Sequence, residues 1–272
     1  MNIKLSIIIP CYNSEATLEE TIKSVVNQEF QDWEAIIVND GSSDSTEEIA
    51  LNWLEKDSRI KYYSKQNEGL CKTRNFGISI ANGIYILPLD SDNVLMNDFA
   101  KDAVAVLDQK EEIGVIHGDA EFIGEKTGLW KIDDFKLEKI LLGNYIDACA
   151  VYRKDIWRQV GGYDENLPCR GLEDWELWIA FGAINVQFFH LNKITFKYRV
   201  TKGSMIRVFT KEMAKITEEY VAKKYSSLYH FYYSKVAAEK SKLSNSLKSK
   251  KFVINIFCEL FFGFSVFKPR LK

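Results

Sequence analysis

The chain lacks the features that mark several large classes of protein. Its cysteines are odd in number, scattered and without a C-x-x-C pair, which argues against both a disulfide framework and a zinc site. They are Cys11, Cys71, Cys149, Cys169 and Cys258. No signal peptide follows Met1, and the final apolar segment, residues 252–267, is short for a membrane span and contains Glu259. These absences predict a protein of the reducing cytoplasm.

Two phosphate-binding signatures are also absent. The sequence contains neither G-x-G-x-x-G nor G-x-x-x-x-G-K, which disfavours a dinucleotide enzyme and a P-loop ATPase. What is present is ordinary for a globular protein: 46% of the residues are hydrophobic and 27% are charged. The 272 residues are enough to bury a substantial core.

Charge is distributed unevenly along the chain. The formal net charge is −2, but residues 202–272 contain 15 Lys and Arg against 5 Asp and Glu. We therefore predict an acidic domain over residues 1–203 and a basic, helical extension over residues 204–272. Such a basic extension favours an anionic partner or surface.

Strand-like and helix-like segments alternate through the first hundred residues. Buried strands are expected at 5–10, 33–38, 60–64 and 85–89, with helices from Asn13 or Ser14 to about 28, at 46–56 and at 70–81. This alternation predicts a doubly wound α/β sheet. Later strands are expected at 114–117, 149–153, 186–189 and 194–198, and helices at 211–225 and 228–238 followed by a linker at 240–251.

Polar side chains follow each of the first four predicted strands. In α/β sheets ligands bind at the carboxyl ends of the strands, so these exits form a candidate site. Asp90 and Asp92 are two residues apart and share a face if the chain stays extended. Carboxylates suit Mg²⁺ or Mn²⁺ bridging to substrate phosphates, although a solvated turn has the same composition.

A second acidic pair, Glu173 and Asp174, begins the apolar helix that contains Trp175 and Trp178. A carboxylate there could act as a general base. Equally, acidic residues at a helix N-terminus are favoured by the helix dipole alone. The two tryptophans are three residues apart, which is typical of core packing and also compatible with stacking on a sugar ring.

Together these motifs resemble the family 2 glycosyltransferases, which have the GT-A fold, a Rossmann-like mixed sheet flanked by helices. The resemblance covers about the first 200 residues and rests on five motifs in order. They are residues 6–13, residues 38–46, Asn67 with Gly69, Arg74 and Asn75, residues 89–92, and residues 173–178. The resemblance implies inverting, metal-assisted transfer of a hexosyl or N-acetylhexosaminyl group from a nucleotide-diphosphate sugar, with UDP the commonest nucleotide.

Roles for individual residues follow from the same resemblance. Asp92 would ligate Mn²⁺ or Mg²⁺, and Asp174, with Glu173 beside it, would be the catalytic base. For Arg74, an ion pair with Asp40 or Asp90 is nearly as well supported as contact with the nucleotide. The residues implied in nucleotide-sugar binding are Pro10, Tyr12, Asn13, Asp40, Asn67, Arg74, Asp90 and Ser91.

The chain departs from the family pattern at the metal. The segment Tyr198-Arg199-Val200-Thr201-Lys202-Gly203-Ser204 lacks the His that often follows Tyr-Arg, and Asn93 stands where a third acid is common. A third metal ligand is therefore in question, and Lys202 or Arg207 could neutralise the diphosphate instead.

Other functions compete with glycosyl transfer. A non-catalytic protein could keep the fold and bind a glycan or a partner, whereas a nucleotidylyltransferase would need a Gly-rich basic loop that the exit at Cys11-Tyr12-Asn13 lacks. Only the basic tail supports nucleic-acid binding. The acceptor could be a glycan, a glycolipid or a glycoprotein. The apolar helix of the tail could lie on a membrane surface, or it could pack against the body of the protein or against a second subunit as a homodimer. The sequence supports the membrane and the packing interpretations equally.

Overall fold

The computed structural model describes residues 3–169, 171–201 and 210–267, apart from the side chain of residue 262. Its centre is a nine-stranded mixed sheet in the order β3-β2-β1-β4-β8-β6-β9-β5, with β7 paired to β6. The strands are β1 Leu5–Cys11, β2 Trp33–Asp40, β3 Ile60–Lys65, β4 Tyr85–Pro88, β5 Val94–Leu95, β6 Ile113–Gly124, β7 Gly128–Trp130, β8 Val151–Arg153 and β9 Gln187–Val200.

The helices of the first 200 residues follow the strands as the α/β prediction expects. They are α1 Leu18–Val26, α2 Thr46–Lys56, α3 Leu70–Ile80, α4 Phe99–Gln109, α5 Leu137–Ile140, α6 Lys154–Val160 and α7 Glu173–Ala183. Three further helices complete the described chain, namely α8 Lys211–Lys224, α9 Ser226–Leu247 and α10 Lys250–Phe262.

The first four strands form the parallel half of the sheet. Strand β1 lies between β2 and β4, and β3 is at the edge, so all four carboxyl ends meet at one side. Every residue of β1 and β2 is buried, which explains their continuous apolar runs, because helices cover both faces of such a sheet. The prediction of a doubly wound mixed sheet is confirmed.

The second half of the sheet is mostly antiparallel and longer than predicted. Strand β8 is antiparallel to both β4 and β6, whereas β6 and β9 run parallel with three register shifts. The prediction of separate strands at 186–189 and 194–198 is wrong, since β9 is continuous through the intervening polar residues. Asn192, with φ 50°, allows the local irregularity without ending the strand.

The start of α1 also differs from the prediction. Neither Asn13 nor Ser14 caps it; Asn13 is left-handed with φ 50°, and the helix begins after Thr17. The side chains of Asn13 and Ser14 instead bond to neighbouring loops. Both side chains therefore form the kind of hydrogen bond that makes Asn and Ser good helix caps, but they form it with other loops and not with the start of α1.

The chain divides into two compact units, Met1–Val221 and Ala222–Lys272. Within the first, α8 buries Thr217 and Val221 completely, and Tyr220 donates a hydrogen bond to Asp164. The boundary predicted after residue 203 lies in residues 202–209, outside the described chain. The domain division itself stays a prediction.

The second unit is helical, as predicted, but the prediction of a linker over residues 240–251 is wrong. Helix α9 continues to Leu247 and α10 begins at Lys250, so only Lys248 and Ser249 separate them. Lys and Ser at 240–247 are polar yet compatible with an exposed helix. Over the ranges that the structure describes, no helix has both the length and the apolar character needed to cross a membrane.

Candidate active site

The loops at the carboxyl ends of β1 and β2 are bonded to each other through Asn13. Its side-chain oxygen accepts a hydrogen bond from the backbone amide of Ser43 at 2.9 Å, and its backbone amide donates a hydrogen bond to the Ser42 hydroxyl. The Ser14 amide donates to Thr46 at 2.7 Å. In this structure Asn13, predicted to bind nucleotide, therefore organises the edge of the site.

The loop after β4 is joined to the same edge through Ser91. The hydroxyls of Ser14 and Ser91 lie 2.7 Å apart, and Thr17 donates to the carbonyl of Ser91. These bonds fix the backbone between Asp90 and Asp92. Ser91 thus holds the loop that contains Asp90 and Asp92 in place.

Asp40, at the end of β2, already accepts hydrogen bonds from three donors. Its carboxylate accepts hydrogen bonds from Lys65 and from the amides of Glu68 and Gly69. Burial opposes ionisation, but these donors hold the pKa of Asp40 below its usual value. The predicted contact with a nucleotide base would compete with these donors for the same carboxylate oxygens.

The remaining predicted nucleotide residues differ in accessibility. Pro10 is buried within β1, whereas Asn67 is exposed and Tyr12 is 54% exposed, so Tyr12 and Asn67 can contact a ligand directly.

Gly41 lies against the backbone of Asn67. Its φ is +76°, and a Cβ there would come within 2.9 Å of the Asn67 amide nitrogen. Only glycine fits this close approach of two strand exits.

Arg74 is the electrostatic link between the two acidic motifs. One guanidinium nitrogen lies 2.6 Å from Asp90 and the other lies 2.5 Å from Glu173. The Arg74 side chain is only 1% exposed and also faces the ring of Tyr163. Of the two ion pairs predicted as alternatives for Arg74, the one with Asp90 is present. The alternative with Asp40 is wrong, because Asp40 pairs with Lys65.

Asp174 lies at the start of α7 beside this ion-pair network. It is 9% exposed, and its carboxylate accepts hydrogen bonds from Asn144 at 2.9 Å and from the Trp175 amide at 2.7 Å. Burial, followed by the charge of Glu173, raises the pKa of Asp174 to about 7. A carboxylate that titrates near neutrality is well suited to take up a proton.

The two tryptophans of α7 are structural. Trp175 and Trp178 are both at most 2% exposed, and their indole nitrogens donate to the carbonyls of Ile140 and Ile146. These bonds attach α7 to the loop that also carries Asn144. The core alternative is therefore correct for both residues, and their contribution to the site is to position Asp174.

Asp92 offers a test of whether a divalent cation fits. Burial, followed by the charge of Asp90, raises the pKa of Asp92 to about 7; a nearby cation would reverse this shift. In the described parts of the chain, no group of three or more His, Cys, Asp or Glu is arranged to hold a metal. A buried carboxylate whose ionised form is disfavoured suits one ligand position of a divalent cation, whose other ligands would come from substrate phosphates and water.

The segment where a metal-binding His is often found has another function here. The backbone amide of Arg199 donates to the side chain of Asn93 at 3.0 Å, and its guanidinium donates to the carbonyl of Asp92 at 2.9 Å. Asn93 and Arg199 thus hold the acidic loop against β9. Lys202 and Arg207, the proposed diphosphate partners, lie outside the described residues.

Two residues of the site were not predicted from the sequence. Asp147 accepts a hydrogen bond from the Cys149 amide, and burial, then the charges of Asp90 and Asp174, raise its pKa well above the usual range. Burial, then the charges of Asp147 and Asp90, raise the pKa of the Tyr198 phenol. The available signal for Asp147 was an acid inside the apolar stretch 146–151.

Comparison with known proteins identifies the family. The model described as "Glycosyl transferase family 2" matches residues 6–161, and one described as "Glycosyltransferase like family 2" matches residues 132–256. The first match covers more than half of the chain. The chain belongs to glycosyl transferase family 2.

Curated relatives bear glycosyltransferase names. An uncharacterised glycosyltransferase of Rickettsia bellii is 31% identical over 67% of this chain and 27% of its own length. Glycosyltransferase GlyA of Streptococcus pneumoniae is 26% identical over 77% of this chain and 32% of its own. A GalNAc(5)-diNAcBac-PP-undecaprenol beta-1,3-glucosyltransferase of Campylobacter jejuni is 38% identical over 46% and 40%. The chain thus spans well under half of these relatives.

Solved structures show that the fold is GT-A. S. aureus TarS 1-349 in complex with UDP-GlcNAc has a TM-score of 0.67 at 21% identity, over 78% of this chain and 64% of that one. The mannosyltransferase PcManGT of Pyrobaculum calidifontis, in complex with GDP-Man and Mn²⁺, has a TM-score of 0.58 at 15% identity, over 74% and 58%. At such identities the likeness concerns the fold alone.

Proposed function

We propose that this family 2 protein is an inverting glycosyltransferase. The donor is a nucleotide-diphosphate sugar, with UDP as the nucleotide, and the acceptor is a hydroxyl of a glycan, glycolipid or glycoprotein. The observation that carries the proposal is the environment of Asp174. It is a buried carboxylate with a pKa near neutrality, connected through Glu173 and Arg74 to Asp90 at the exit of β4.

The donor would lie along the exits of the parallel strands. Tyr12 and Asn67 are exposed there, while Asp40 and Asn13 shape the base end and Pro10 lies buried beneath it. Asp90 and Ser91 face the ribose and diphosphate end. Asp92 would hold Mn²⁺ or Mg²⁺, which when bound stabilises the negative charge of the diphosphate leaving group. Arg74 keeps the loop of Asp90 and the start of α7 at a fixed separation.

In the transfer step, the acceptor oxygen attacks the anomeric carbon from the side opposite the diphosphate. The acceptor hydroxyl gives its proton to the Asp174 carboxylate, and the electron pair of the breaking C–O bond leaves with the nucleoside diphosphate. Inversion follows from this geometry of attack. Asn144 and the Trp175 amide orient the Asp174 oxygens, and the charge of Glu173 contributes to the raised pKa that makes Asp174 an effective base.

The cellular setting is part of the proposal. All five cysteines are free thiols, which suits a reducing cytoplasm. The basic helical extension would bring the enzyme to its acceptor, either by contact with a membrane surface at its inner face or by association with a second copy.

The test is a panel of UDP-, GDP- and other nucleotide sugars, with release of the nucleoside diphosphate as the readout. Wild type is expected to release diphosphate from at least one donor with Mn²⁺ and to lose this activity with EDTA. Asp92→Asn should lose at least about a hundredfold, because charge stabilisation worth several kcal/mol is removed. Asp133→Asn, at an exposed acid, is the matched control.

The competing function is a glycan- or partner-binding protein without catalysis. Binding of a nucleotide or glycan with no diphosphate release from any donor would favour it over the transferase. Binding of none of the nucleotides would contradict the proposed donor site itself.

A further inference from the structure

The last helix exposes a broad apolar surface that adjoins a narrow polar stripe containing Asn255 and Glu259. Among the side chains that the structure describes in α10 and the turn after it, nine large hydrophobic ones are at least 36% exposed. They are Phe252, Val253, Ile254, Ile256, Phe257, Leu260, Phe261, Phe264 and Val266. An exposed apolar surface of this breadth requires a low-polarity environment that its own unit does not supply.

The polar groups of this segment are bonded to one another. The Asn255 side-chain oxygen accepts hydrogen bonds from the amides of Val266 and Phe267, and its nitrogen donates to the Phe267 carbonyl. Ser265 donates to Glu259. The chain can reverse because Gly263 ends the helix with φ 73°. Internal pairing of this kind lowers the cost of placing the segment in a medium without water.

The charge of the surrounding chain decides between the two partners considered from the sequence. Residues 222–272 contain 11 Lys and Arg but only two acids, Glu239 and Glu259. Two copies of this unit would repel each other, whereas an anionic surface attracts it. Lys250 and Lys251 stand at the start of α10, so positive charge adjoins the apolar surface directly. A hydrophilic polyanion would satisfy the charge and leave the aromatic side chains in water.

We propose that residues 250–267 insert into the interface of a membrane that contains anionic lipid. Helix α10 has 13 residues and is therefore about 20 Å long, shorter than the hydrocarbon core of about 30 Å. It lies in the plane of the interface, with its phenylalanine and leucine side chains among the acyl chains and the lysines at the phosphates. The exposed aromatic side chains Phe231 and Tyr233 of α9 would add contacts at the headgroup level.

The apolar contribution is tested by co-sedimentation of the full chain with vesicles of phosphatidylcholine and phosphatidylglycerol. Leu260→Glu/Phe261→Glu should lower the partition coefficient more than a hundredfold, because two exposed anchors become charged. Leu129→Glu/Leu142→Glu introduces the same charges at two exposed leucines of the first unit and should bind like wild type. Circular dichroism confirms that both variants remain folded.

The electrostatic contribution is tested with Lys250→Gln/Lys251→Gln. Two basic residues near an anionic surface correspond to about a thirtyfold change in partition coefficient, which is about 2 kcal/mol at 1.4 kcal/mol per tenfold. Lys131→Gln/Lys136→Gln, at two exposed lysines of the first unit, should change nothing. Wild-type binding should fall as salt rises and be weak on phosphatidylcholine alone.

Recovery of the wild type in the supernatant with anionic vesicles would overturn the proposal, as would equal binding of the two glutamate double variants. A lipid-free dimer in light scattering that Leu260→Glu/Phe261→Glu converts to monomer would show a second copy as the occupant instead. The proposal does not depend on the transferase activity: Asp174→Asn should bind vesicles like wild type.

Discussion

Replacing Asp174 by Asn isolates the charge of one carboxylate at nearly constant shape. The Asn side-chain oxygen can keep the hydrogen bond from the Trp175 amide, now 2.7 Å. Its nitrogen then faces the donor nitrogen of Asn144, 2.9 Å away, so that bond is lost. Leaving this pair unsatisfied costs about 1–2 kcal/mol of the free energy of unfolding.

The lost charge acts in the opposite direction. The pKa of Asp174 is raised from 3.8 to about 7, so the folded state binds this proton more tightly than the unfolded state. Ionisation therefore lowers the free energy of unfolding as the pH rises from about 4 through 7, by at most about 4 kcal/mol at 1.36 kcal/mol per unit. Asn carries no such cost. Above pH 7 the variant should be as stable as wild type or up to about 3 kcal/mol more stable.

Transfer, in contrast, should fall by a factor of about 10² to 10⁴, which is the usual contribution of a general base. The assay is diphosphate release from a saturating concentration of the donor that the nucleotide-sugar panel identifies, accompanied by urea unfolding at pH 8. Asp133→Asn, whose side chain is 67% exposed, controls for loss of an acid elsewhere. Turnover within threefold of wild type would refute the role of Asp174, and a collapse of stability would show that its charge is structural.

Two further predictions concern the same network. The turnover number of wild type at saturating metal should fall about tenfold per pH unit below about pH 7, because a protonated Asp174 cannot take the proton of the acceptor hydroxyl. If the residual activity of Asp174→Asn fell with pH in the same way, that result would contradict the assignment. Arg74→Met should lower the free energy of unfolding by about 3–5 kcal/mol, since it leaves Asp90 and Glu173 without their buried partner. Lys101→Met breaks an exposed pair and should cost under about 1 kcal/mol in the same denaturation experiment; equal losses would argue against a buried network.

The parallel half of the fold was predictable because its signals are local. Strands β1 and β2 are buried on both faces, so their sequences are continuous apolar runs. Helix α2 begins at Thr46 and helix α3 begins directly after Gly69, as the sequence predicts. Strand β9 was not predictable in the same way. It is held together by pairing with β6 over irregular register, and the polar residues within it resemble a loop when neighbours are ignored.

The candidate site shows a similar division. Asp90, Asp92, Glu173 and Asp174 were recognisable from spacing and family resemblance. The partner of Arg74 was not, since Asp40 and Asp90 were equally good candidates until the structure placed Lys65 beside Asp40. Asp147 was missed because a single acid in an apolar stretch has no spacing pattern.

By itself the sequence determined the family, the order of the parallel strands' polar exits and the acidic motifs that follow them, because each depends on residues close together in the chain. Only the tertiary structure decided how those motifs act on each other. Arg74 joins acids 16 and 99 residues away, and burial among these charges raises the pKa of Asp92 and Asp174 to about 7. Burial and the distances between charges are properties of the folded chain, so no local pattern could supply them.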